Sequence, residues 1–261
     1  MRNRLSVLAL SVVVMLVCLD GMLGQTAAPQ RTANAPAQDI SGVWRHSRRP
    51  PDNTRKYTLG EIVGSIGVIP PMTPWGAAKF RAAKPNGGAN GFSLAETNDP
   101  QTQCFPPGVP RIYSARLGAP FEILQVPGKV VMIFEYDHFV REIFTDGRQH
   151  PQDLNPTWMG HSIGTWQKNS FVVDTIGFND KTWLDGAGHP HSESLHLVER
   201  FQRPSHDAMI NDITIEDPMA YTKPWVAHEI FELKPGWDLE EYVCEDFLNF
   251  KDLQSVSESP K

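Results

Sequence analysis

Residues 121–144, FEILQVPGKVVMIFEYDHFVREIF, decide the fold class of this chain. They contain three short runs rich in β-branched and aromatic residues (121–126, 130–136 and 139–144), separated by turn residues, as in consecutive β-strands. The same pattern of short runs separated by turn residues predicts further strands at 39–46, 162–168, 171–176, 195–202, 208–216, 225–233 and 237–243. So many strands usually curl and close. We therefore predict an all-β fold, an up-and-down antiparallel β-barrel of about nine or ten strands.

The connections between the predicted strands are of two lengths. Tight turns lie at 136–138, 168–169, 204–206 and 234–236, and long loops lie at 145–161, 177–194 and 217–224. If every neighbouring pair is antiparallel, successive connections alternate between the two ends of the barrel. The three long loops then share one rim, where we expect a pocket. The alternative is an open β-sandwich in which these loops are tolerated insertions.

A segment rich in proline and glycine, 47–119, separates the first strand from the others. It contains one helix signal, with Thr73 as the N-cap, Pro74 at the first helical position and Pro85 as the stop. The sequence therefore predicts one short helix over 74–83, within an irregular segment that wraps the domain.

The first 28 residues read as an export signal, because Arg2 and Arg4 precede an apolar run that is too short for a comfortable membrane span. An N-terminal membrane anchor is the alternative, and Cys18 leaves lipid attachment open. Residues 29–38 are expected to form a flexible tether, 39–245 a single β-barrel domain and 246–261 a C-terminal tail. We therefore expect a periplasmic or secreted protein with no membrane span once the signal is removed.

The formal net charge of the chain is −6, and no basic cluster stands out. Nucleic acid and anionic membrane are therefore not expected as partners. Two cysteines, Cys104 and Cys244, remain after the predicted signal, and an oxidising compartment favours a disulfide between them. Two unpaired thiols are the alternative, and in either case we expect a structural role.

Several predicted strands carry a charged residue among their apolar ones. These residues are Glu135, Arg141, Glu199 and Glu229. If the apolar faces point into the barrel, an unpaired charge there is costly, so each must pair, stay hydrated or contact a ligand. We interpret the four as ligand-binding residues of a mostly apolar interior. The alternatives are that Arg141 pairs with a glutamate, or that these faces turn outward.

The long loops hold most of the side chains that are capable of acid–base chemistry. Histidine titrates near neutral pH, and a carboxylate in contact with it sets its tautomer. The expected proton-transfer residues are His150, His161, His189 and His191, and the carboxylates expected to orient them are Asp146, Asp153 and Asp180. Asp174 is a weaker candidate. The expected ligand contacts are Trp158, Asn179 and Trp183, with Arg148 or Lys181 for an anionic group.

His189, His191 and His196 form the best metal candidate in the sequence. Two imidazoles at i and i+2, with a third on the next strand, can hold zinc or copper. Otherwise these histidines are surface residues or general acid–base groups. We expect no cofactor, with zinc or copper as the alternative. The sequence contains no nucleophile elbow, phosphate loop or dinucleotide-binding motif.

Three strings carry a resemblance to known proteins: TDGRQHP at 145–151, PTWMGHSIGTW at 156–166 and VDTIGFND at 173–180. Through them, residues 99–245 resemble a group of uncharacterised secreted bacterial proteins, and this resemblance implies no function. Gly42-Val43-Trp44 is similar to the Gly-x-Trp signature of the lipocalin and calycin barrels. That similarity implies a barrel open at one end that binds a small apolar molecule. It also implies an arginine near the final strand, stacked on the tryptophan, although residues 237–245 contain none.

The sequence therefore predicts an exported, calycin-like barrel with a pocket at its mouth. The function we expect is acid–base chemistry of the isomerase, hydratase or lyase type on a small, partly apolar or aromatic molecule. The alternative is a non-catalytic, lipocalin-like protein that binds a small hydrophobic molecule.

Overall fold

The computed structural model of the chain describes residues 38–47, 70–86, 91–114 and 119–246. The predicted export signal, nearly all of the predicted tether and nearly all of the predicted C-terminal tail lie outside the described residues. Within the described ranges, no helix combines the length and the apolar character that crossing a membrane requires.

Nine strands form one closed barrel and follow one another around it in chain order. Their bounds are β1 Gly42–His46, β2 Phe121–Val126, β3 Lys129–Phe134, β4 Val140–Phe144, β5 His161–Gln167, β6 Ser170–Ile176, β7 His196–Ser205, β8 Ala208–Glu216 and β9 Trp225–Leu233. β1 pairs with β9 and closes the ring. The predicted all-β barrel is therefore confirmed.

One neighbouring pair in this ring is parallel, namely β4 and β5, which pair in register at Ile143–Ser162 and Phe144–Ile163. Strand directions that alternate around a closed ring require an even number of strands. With nine strands the ring must therefore contain a parallel pair. The expectation of a purely antiparallel barrel was wrong at this pair.

The parallel pair changes where the connections lie. We call the end where β6 and β8 finish the upper rim, and the other end the lower rim. The 145–160 connection starts at the lower rim and crosses to the upper rim, because β4 and β5 run in the same direction. The connections 177–195 and 217–224 do share the upper rim, but the tight turn at 135–139 lies there too. The prediction that all three long loops, and no tight turn, occupy one rim was therefore wrong.

The predicted strand at 237–243 is absent from the barrel. Because β1 pairs with both β2 and β9, the sheet has no open edge to which a tenth strand could add. The segment instead contacts the turn between β3 and β4, through a bridge between Tyr136 and Tyr242. Directly after this segment, Cys244 forms a disulfide with Cys104, which confirms the predicted pairing.

The predicted short helix is also confirmed, as α1 over Pro74–Ala82. The Thr73 side chain caps it by accepting a hydrogen bond from the Gly76 amide. The helix packs closely on the 217–224 connection, where a β-carbon on Gly76 would lie only 2.2 Å from the Ala220 carbonyl oxygen. The start of the helix is fixed there as well, since the Thr73 amide donates to the same oxygen at 2.9 Å. The contact places α1 over the upper rim.

The centre of the barrel is filled with side chains. The largest inward-facing aromatic residues are Trp44, Phe121, Phe134, Phe171, Phe201 and Phe231. A 3-10 helix, Arg111–Tyr113, adds the ring of Tyr113 to them. That ring lies 5.5 Å from the Phe231 ring, measured between centroids. The centre is therefore packed, in contrast to the open interior that the lipocalin resemblance implied.

The tryptophan of the Gly-x-Trp string has the surroundings expected of a structural residue. Trp44 is fully buried, and its indole nitrogen donates to the Ile40 carbonyl oxygen at 2.9 Å. The Arg203 guanidinium lies 5.0 Å from the centroid of its ring. An arginine does therefore cover this tryptophan, but it comes from β7 and not from the end of the chain.

Candidate functional site

A cleft of about 290 Å³ lies between α1 and the 177–195 connection, above the upper rim. Its chemically capable lining residues are Trp75, Lys79, Asp180, Lys181, Trp183 and His191. Four of these were predicted as site residues from the sequence, namely Asp180, Lys181, Trp183 and His191. The two on α1 were not.

The fold of the 177–195 connection explains why Trp183 and His191 line one cleft. Trp183 pairs with Pro190 in an antiparallel bridge, which turns the connection back on itself. Asp185 stabilises the turn between them, because its carboxylate accepts hydrogen bonds from the amides of Ala187 and His189. Backbone pairing thus holds residues on both sides of the turn next to each other.

Contact between this turn and α1 closes one side of the cleft. Gly188 has a φ of +93°, which a side chain would rarely adopt, and a β-carbon there would lie 2.6 Å from the Ala83 β-carbon. The Thr182 hydroxyl donates to the Pro107 carbonyl oxygen at 2.8 Å and fixes the other flank. The helix and the turn therefore form a defined wall.

His191 is the group in the cleft with the clearest chemical capability. Its side chain is buried, and its Nδ1 lies 3.2 Å from the Ser192 carbonyl oxygen. Since a carbonyl only accepts, Nδ1 carries the proton and Nε2 carries the lone pair. Among the described residues, Nε2 has no hydrogen-bond partner. Burial lowers the pKa of His191 and outweighs the opposing effects of Ser192, Asp217 and Asp180, so the imidazole is neutral near pH 7.

His189 lies beneath α1 and does not line the cleft. Its Nδ1 is 2.5 Å from the Asp185 carboxylate, and its ring stacks on Phe80 at a centroid distance of 4.6 Å. Burial would raise the pKa of Asp185, but the hydrogen bonds from His189 and the Ala187 amide, together with the charge of His189, outweigh it, and the pKa is lowered. Asp185, and not one of the three predicted carboxylates, therefore orients this histidine.

His150 and His161 lie in a second place, on the outer wall of the barrel. Nδ1 of His150 is 2.8 Å from Nδ1 of His161, and its Nε2 is 2.9 Å from the Asp174 carboxylate. The same carboxylate reaches Nε2 of His196 at 2.9 Å, and Nδ1 of His196 lies 3.2 Å from Glu216. We call these five residues, His161, His150, Asp174, His196 and Glu216, the histidine chain.

Two histidines of the histidine chain, His161 and His196, differ in their affinity for protons. Burial lowers the pKa of His161, and the nearby charges of His150 and Arg148 lower it further. Burial would also lower the pKa of His196, but contacts with Asp174 and Glu216 outweigh it, and the pKa is raised. Asp174, the weaker candidate from the sequence, is the carboxylate that lies between the two in this chain.

The expectation that the long loops bring their histidines to one rim of the barrel was therefore wrong. His161, Asp174 and His196 alternate with inward-facing residues and point outward, while His189 and His191 lie above the upper rim. Strand parity explains the split, because His161, Asp174 and His196 occupy outward-facing positions of β5, β6 and β7. Residues of the predicted site thus belong to two groups.

The remaining predicted loop residues lie outside the cleft. Asp146 and Arg148 form an exposed ion pair at 2.5 Å. Trp158 stacks on Phe105 at a centroid distance of 5.7 Å. The Asn179 side chain accepts from the Lys181 amide at 3.2 Å, which is a turn contact. Asp153 is exposed and makes none of the contacts that orient His150.

The predicted interior residues Arg141 and Glu199 pair with each other at the centre of the barrel. The Tyr113 hydroxyl lies 2.7 Å from the same carboxylate, and Asn211 donates to it at 3.0 Å. Burial would lower the pKa of Arg141, but the charge of Glu199 outweighs it, and the pKa is raised. Burial raises the pKa of Tyr113 well above its usual value. Arg141 thus pairs with a glutamate, which is the alternative that the sequence left open.

Glu229 and Glu135 differ from each other in position. Glu229 faces inward, 2.8 Å from His46 Nε2, in an ion contact whose angles do not make a hydrogen bond. Burial raises the pKa of Glu229. Glu135 follows the end of β3 on the outward parity and accepts from the Glu240 amide at 3.0 Å. The interpretation of Glu135 as an interior residue was wrong.

The structure does not bring together the three predicted metal ligands. His196 belongs to the histidine chain, whereas His189 lies beneath α1 and His191 lines the cleft. Within the described ranges, no group of three or more histidine, cysteine, aspartate or glutamate side chains is arranged to hold a metal ion.

Comparison of the chain with family models, with curated proteins and with solved structures found no match.

Proposed function

We propose that this chain is an exported enzyme that carries out acid–base chemistry on a small, partly apolar or aromatic molecule in the cleft. The reaction type is that of an isomerase, a hydratase or a lyase, in which a proton is moved without a redox step. The observation that carries the proposal is His191: a buried, neutral imidazole that lines a cleft and whose Nε2 has no partner among the described residues.

His191 has two of the properties that a general base requires. Its lone pair is on the nitrogen left without a protein partner, and its lowered pKa keeps it unprotonated at neutral pH. A positioned base of this kind typically contributes about 10²–10⁴-fold to the rate. The abstracted proton then lies on Nε2 of His191, and this imidazolium can return it to the substrate, with the charge of Asp180, an exposed carboxylate in the same cleft, favouring the protonated form.

The cleft is a better place for a substrate than the other two polar regions. The polar groups at the barrel centre are occupied by one another, and aromatic side chains fill the space around them. The histidine chain lies on the convex outer wall, which gives a small molecule little enclosure. The cleft combines aromatic walls with a buried, neutral imidazole whose Nε2 has no partner among the described residues.

A non-catalytic binding protein that uses the same cleft is the second candidate. The indoles of Trp75 and Trp183 would hold an apolar or aromatic ligand whether or not His191 moves a proton. This candidate differs from the lipocalin-like alternative in the place of binding, which is above the rim and not inside the barrel.

Proton exchange into D₂O separates the two candidates. The probes are phenylpyruvate and the neutral ketone phenylacetone, whose protons next to the carbonyl group are acidic, and NMR follows their loss. We expect the protein to accelerate exchange, and His191→Gln to lose about 10²–10⁴-fold of that acceleration. His206→Gln is the matched control, because His206 lies in the exposed turn between β7 and β8.

Binding of the probes must be measured beside their exchange. If wild-type protein and His191→Gln bind a probe equally and neither accelerates exchange, acid–base catalysis is rejected and the binding protein is supported. If His206→Gln loses as much as His191→Gln, the effect does not come from the cleft.

A further inference from the structure

We infer that the molecule bound in the cleft is an aromatic anion, with its carboxylate at Lys79 and Lys181 and its ring against Trp75 and Trp183. This inference rests on the proposed function in one respect only, that the cleft is the functional site. It goes further by assigning the chemical class of the ligand.

The charge of the cleft is the first step of the argument. Lys79 on α1 and Lys181 on the 177–195 connection both line it, against a single carboxylate, Asp180. Among the described residues, neither ammonium group lies within ion-pair distance of a carboxylate, in contrast to Lys129, which pairs with Glu142 at 2.5 Å. Since His191 is neutral, the cleft carries a net positive charge near pH 7. A cationic ligand is therefore disfavoured and an anion is favoured.

The aromatic walls are the second step. The ammonium of Lys79 lies over the Trp75 ring, 5.5 Å from its centroid, so a positive charge covers one face of this indole. The ring of Trp183 lies 5.5 Å from the guanidinium of Arg111. Arg111 is itself held by a buried, two-pronged ion pair with Asp99. The Trp183 indole is therefore backed by a rigid support, which suits a stacking surface for a flat ring.

The size of the cleft is the third step. Its volume of about 290 Å³ is at the lower end of the range for small-molecule sites. This volume accommodates a molecule of one ring with a short acidic side chain and excludes the larger ligands that fill wide barrel pockets. Phenylacetate has this size, charge and shape, and we use it as the probe.

The test compares three probes that differ in one property each: phenylacetate, its neutral amide phenylacetamide, and the non-aromatic acid cyclohexylacetate. Binding to the full chain is followed by tryptophan fluorescence and by ligand NMR. We expect phenylacetate to bind at least about tenfold more tightly than phenylacetamide, because a charge-assisted hydrogen bond is lost in the amide. Cyclohexylacetate should bind more weakly than phenylacetate, because it cannot stack.

Lysine variants locate the carboxylate. Lys79→Met and Lys181→Met should each weaken phenylacetate binding by about three- to tenfold, since both side chains are partly hydrated. The matched control is Lys84→Met, because Lys84 lies just beyond α1 but does not line the cleft. All three lysines are exposed, so we expect the variants to fold, and thermal melting checks this.

Each remaining outcome overturns the inference. Equal affinity for acid and amide, no binding of phenylacetate, or cleft-lysine variants that behave like Lys84→Met would all do so. The outcome is separate from that of the proposed function. His191-dependent exchange of phenylacetone protons with equal affinity for acid and amide would reject the anionic ligand alone. Tight phenylacetate binding at the lysines without any proton exchange would reject catalysis alone.

Discussion

Arg141 and Glu199 form a buried ion pair that crosses the barrel interior from β4 to β7. Arg141 also donates to Ser162 on β5 at 3.1 Å and to Thr175 on β6 at 2.9 Å. One side chain therefore ties β4 to β5, its parallel partner, and to β6 and β7. Burial of a charge pair is costly, but here almost every donor and acceptor has a partner. The pair fixes the part of the barrel where the strand pairing changes direction.

Removal of one partner of this pair should destabilise the fold strongly. We expect Glu199→Gln to lower the free energy of unfolding by about 3–5 kcal/mol, because it leaves a buried guanidinium without its counter-charge. Urea denaturation measures the change. Glu142→Gln is the control, since the exposed Glu142–Lys129 pair should contribute less than about 1 kcal/mol. Equal losses in the two variants would contradict a central role for Arg141 and Glu199.

The disulfide should stabilise the fold by restricting the unfolded chain. Cys104 and Cys244 are 140 residues apart, and the chain-entropy model assigns about 4–5 kcal/mol to so long a loop, less any strain. We expect the double variant Cys104→Ser, Cys244→Ser to melt at a lower temperature than the oxidised wild type. A reductant should lower the melting temperature of the wild type and leave the double variant unchanged. A variant that still responds to reductant would contradict this assignment.

The histidine chain should titrate in a defined order. The pKa of His196 is raised, so its contribution to stability is present below the ordinary value of about 6.5 and is lost as the pH rises through the folded-state pKa. The pKa of His161 is lowered, so the fold is instead destabilised as the pH falls below about 6.5. NMR titration of the imidazole protons should therefore show His161 losing its proton at lower pH than His196.

Asp174→Asn tests the cause of this order. The substitution removes the charge that His150 and His196 share, so we expect the pKa of His196 to fall toward its ordinary value. His228, which contacts Asp212, serves as the internal reference. Titration of His161 at or above the pH of His196 in the wild type would contradict the chain as described.

Proton exchange in the cleft should depend on pH through His191. The base must be unprotonated, and its pKa is lowered by burial, so activity should be retained at neutral pH and lost as the pH falls through that lowered value. The acid limb of kcat/KM for phenylpyruvate exchange should therefore lie below about pH 6.5, the ordinary pKa of histidine. An acid limb above that value would show that another group supplies the base.

Local patterns in the sequence predicted most of the elements. β2, β8 and β9 begin and end where the alternation of residues placed them, and Thr73 and Pro74 marked the start of α1. The direction of β5 could not be predicted in the same way. The direction of β5 depends on the number of strands in the ring, and therefore on whether residues 237–243 join the sheet. They do not join it because β1 pairs with β9, and this pairing joins distant parts of the chain.

The candidate site was predicted in part for a similar reason. Asp180, Lys181, Trp183 and His191 share one loop, so their proximity could be expected from the sequence alone. Trp75 and Lys79 lie four residues apart on the predicted helix, so their shared face could have been expected, although neither was predicted as a site residue. No local pattern, however, indicates that this helix packs on residues 217–224. The place of Asp174 beside His161 could have been inferred from strand parity, because both residues alternate with inward-facing ones.

The nitrogen resonances of His191 test the central claim most directly. In ¹⁵N-labelled protein at neutral pH, we predict an unprotonated Nε2 and a protonated Nδ1 for His191, and a shift of the Nε2 resonance when phenylacetate or phenylpyruvate is added. His206 should not respond to either ligand. A protonated Nε2 in the free protein, or an Nε2 resonance that neither ligand moves, would contradict the assignment of His191 as the base in a ligand-binding cleft.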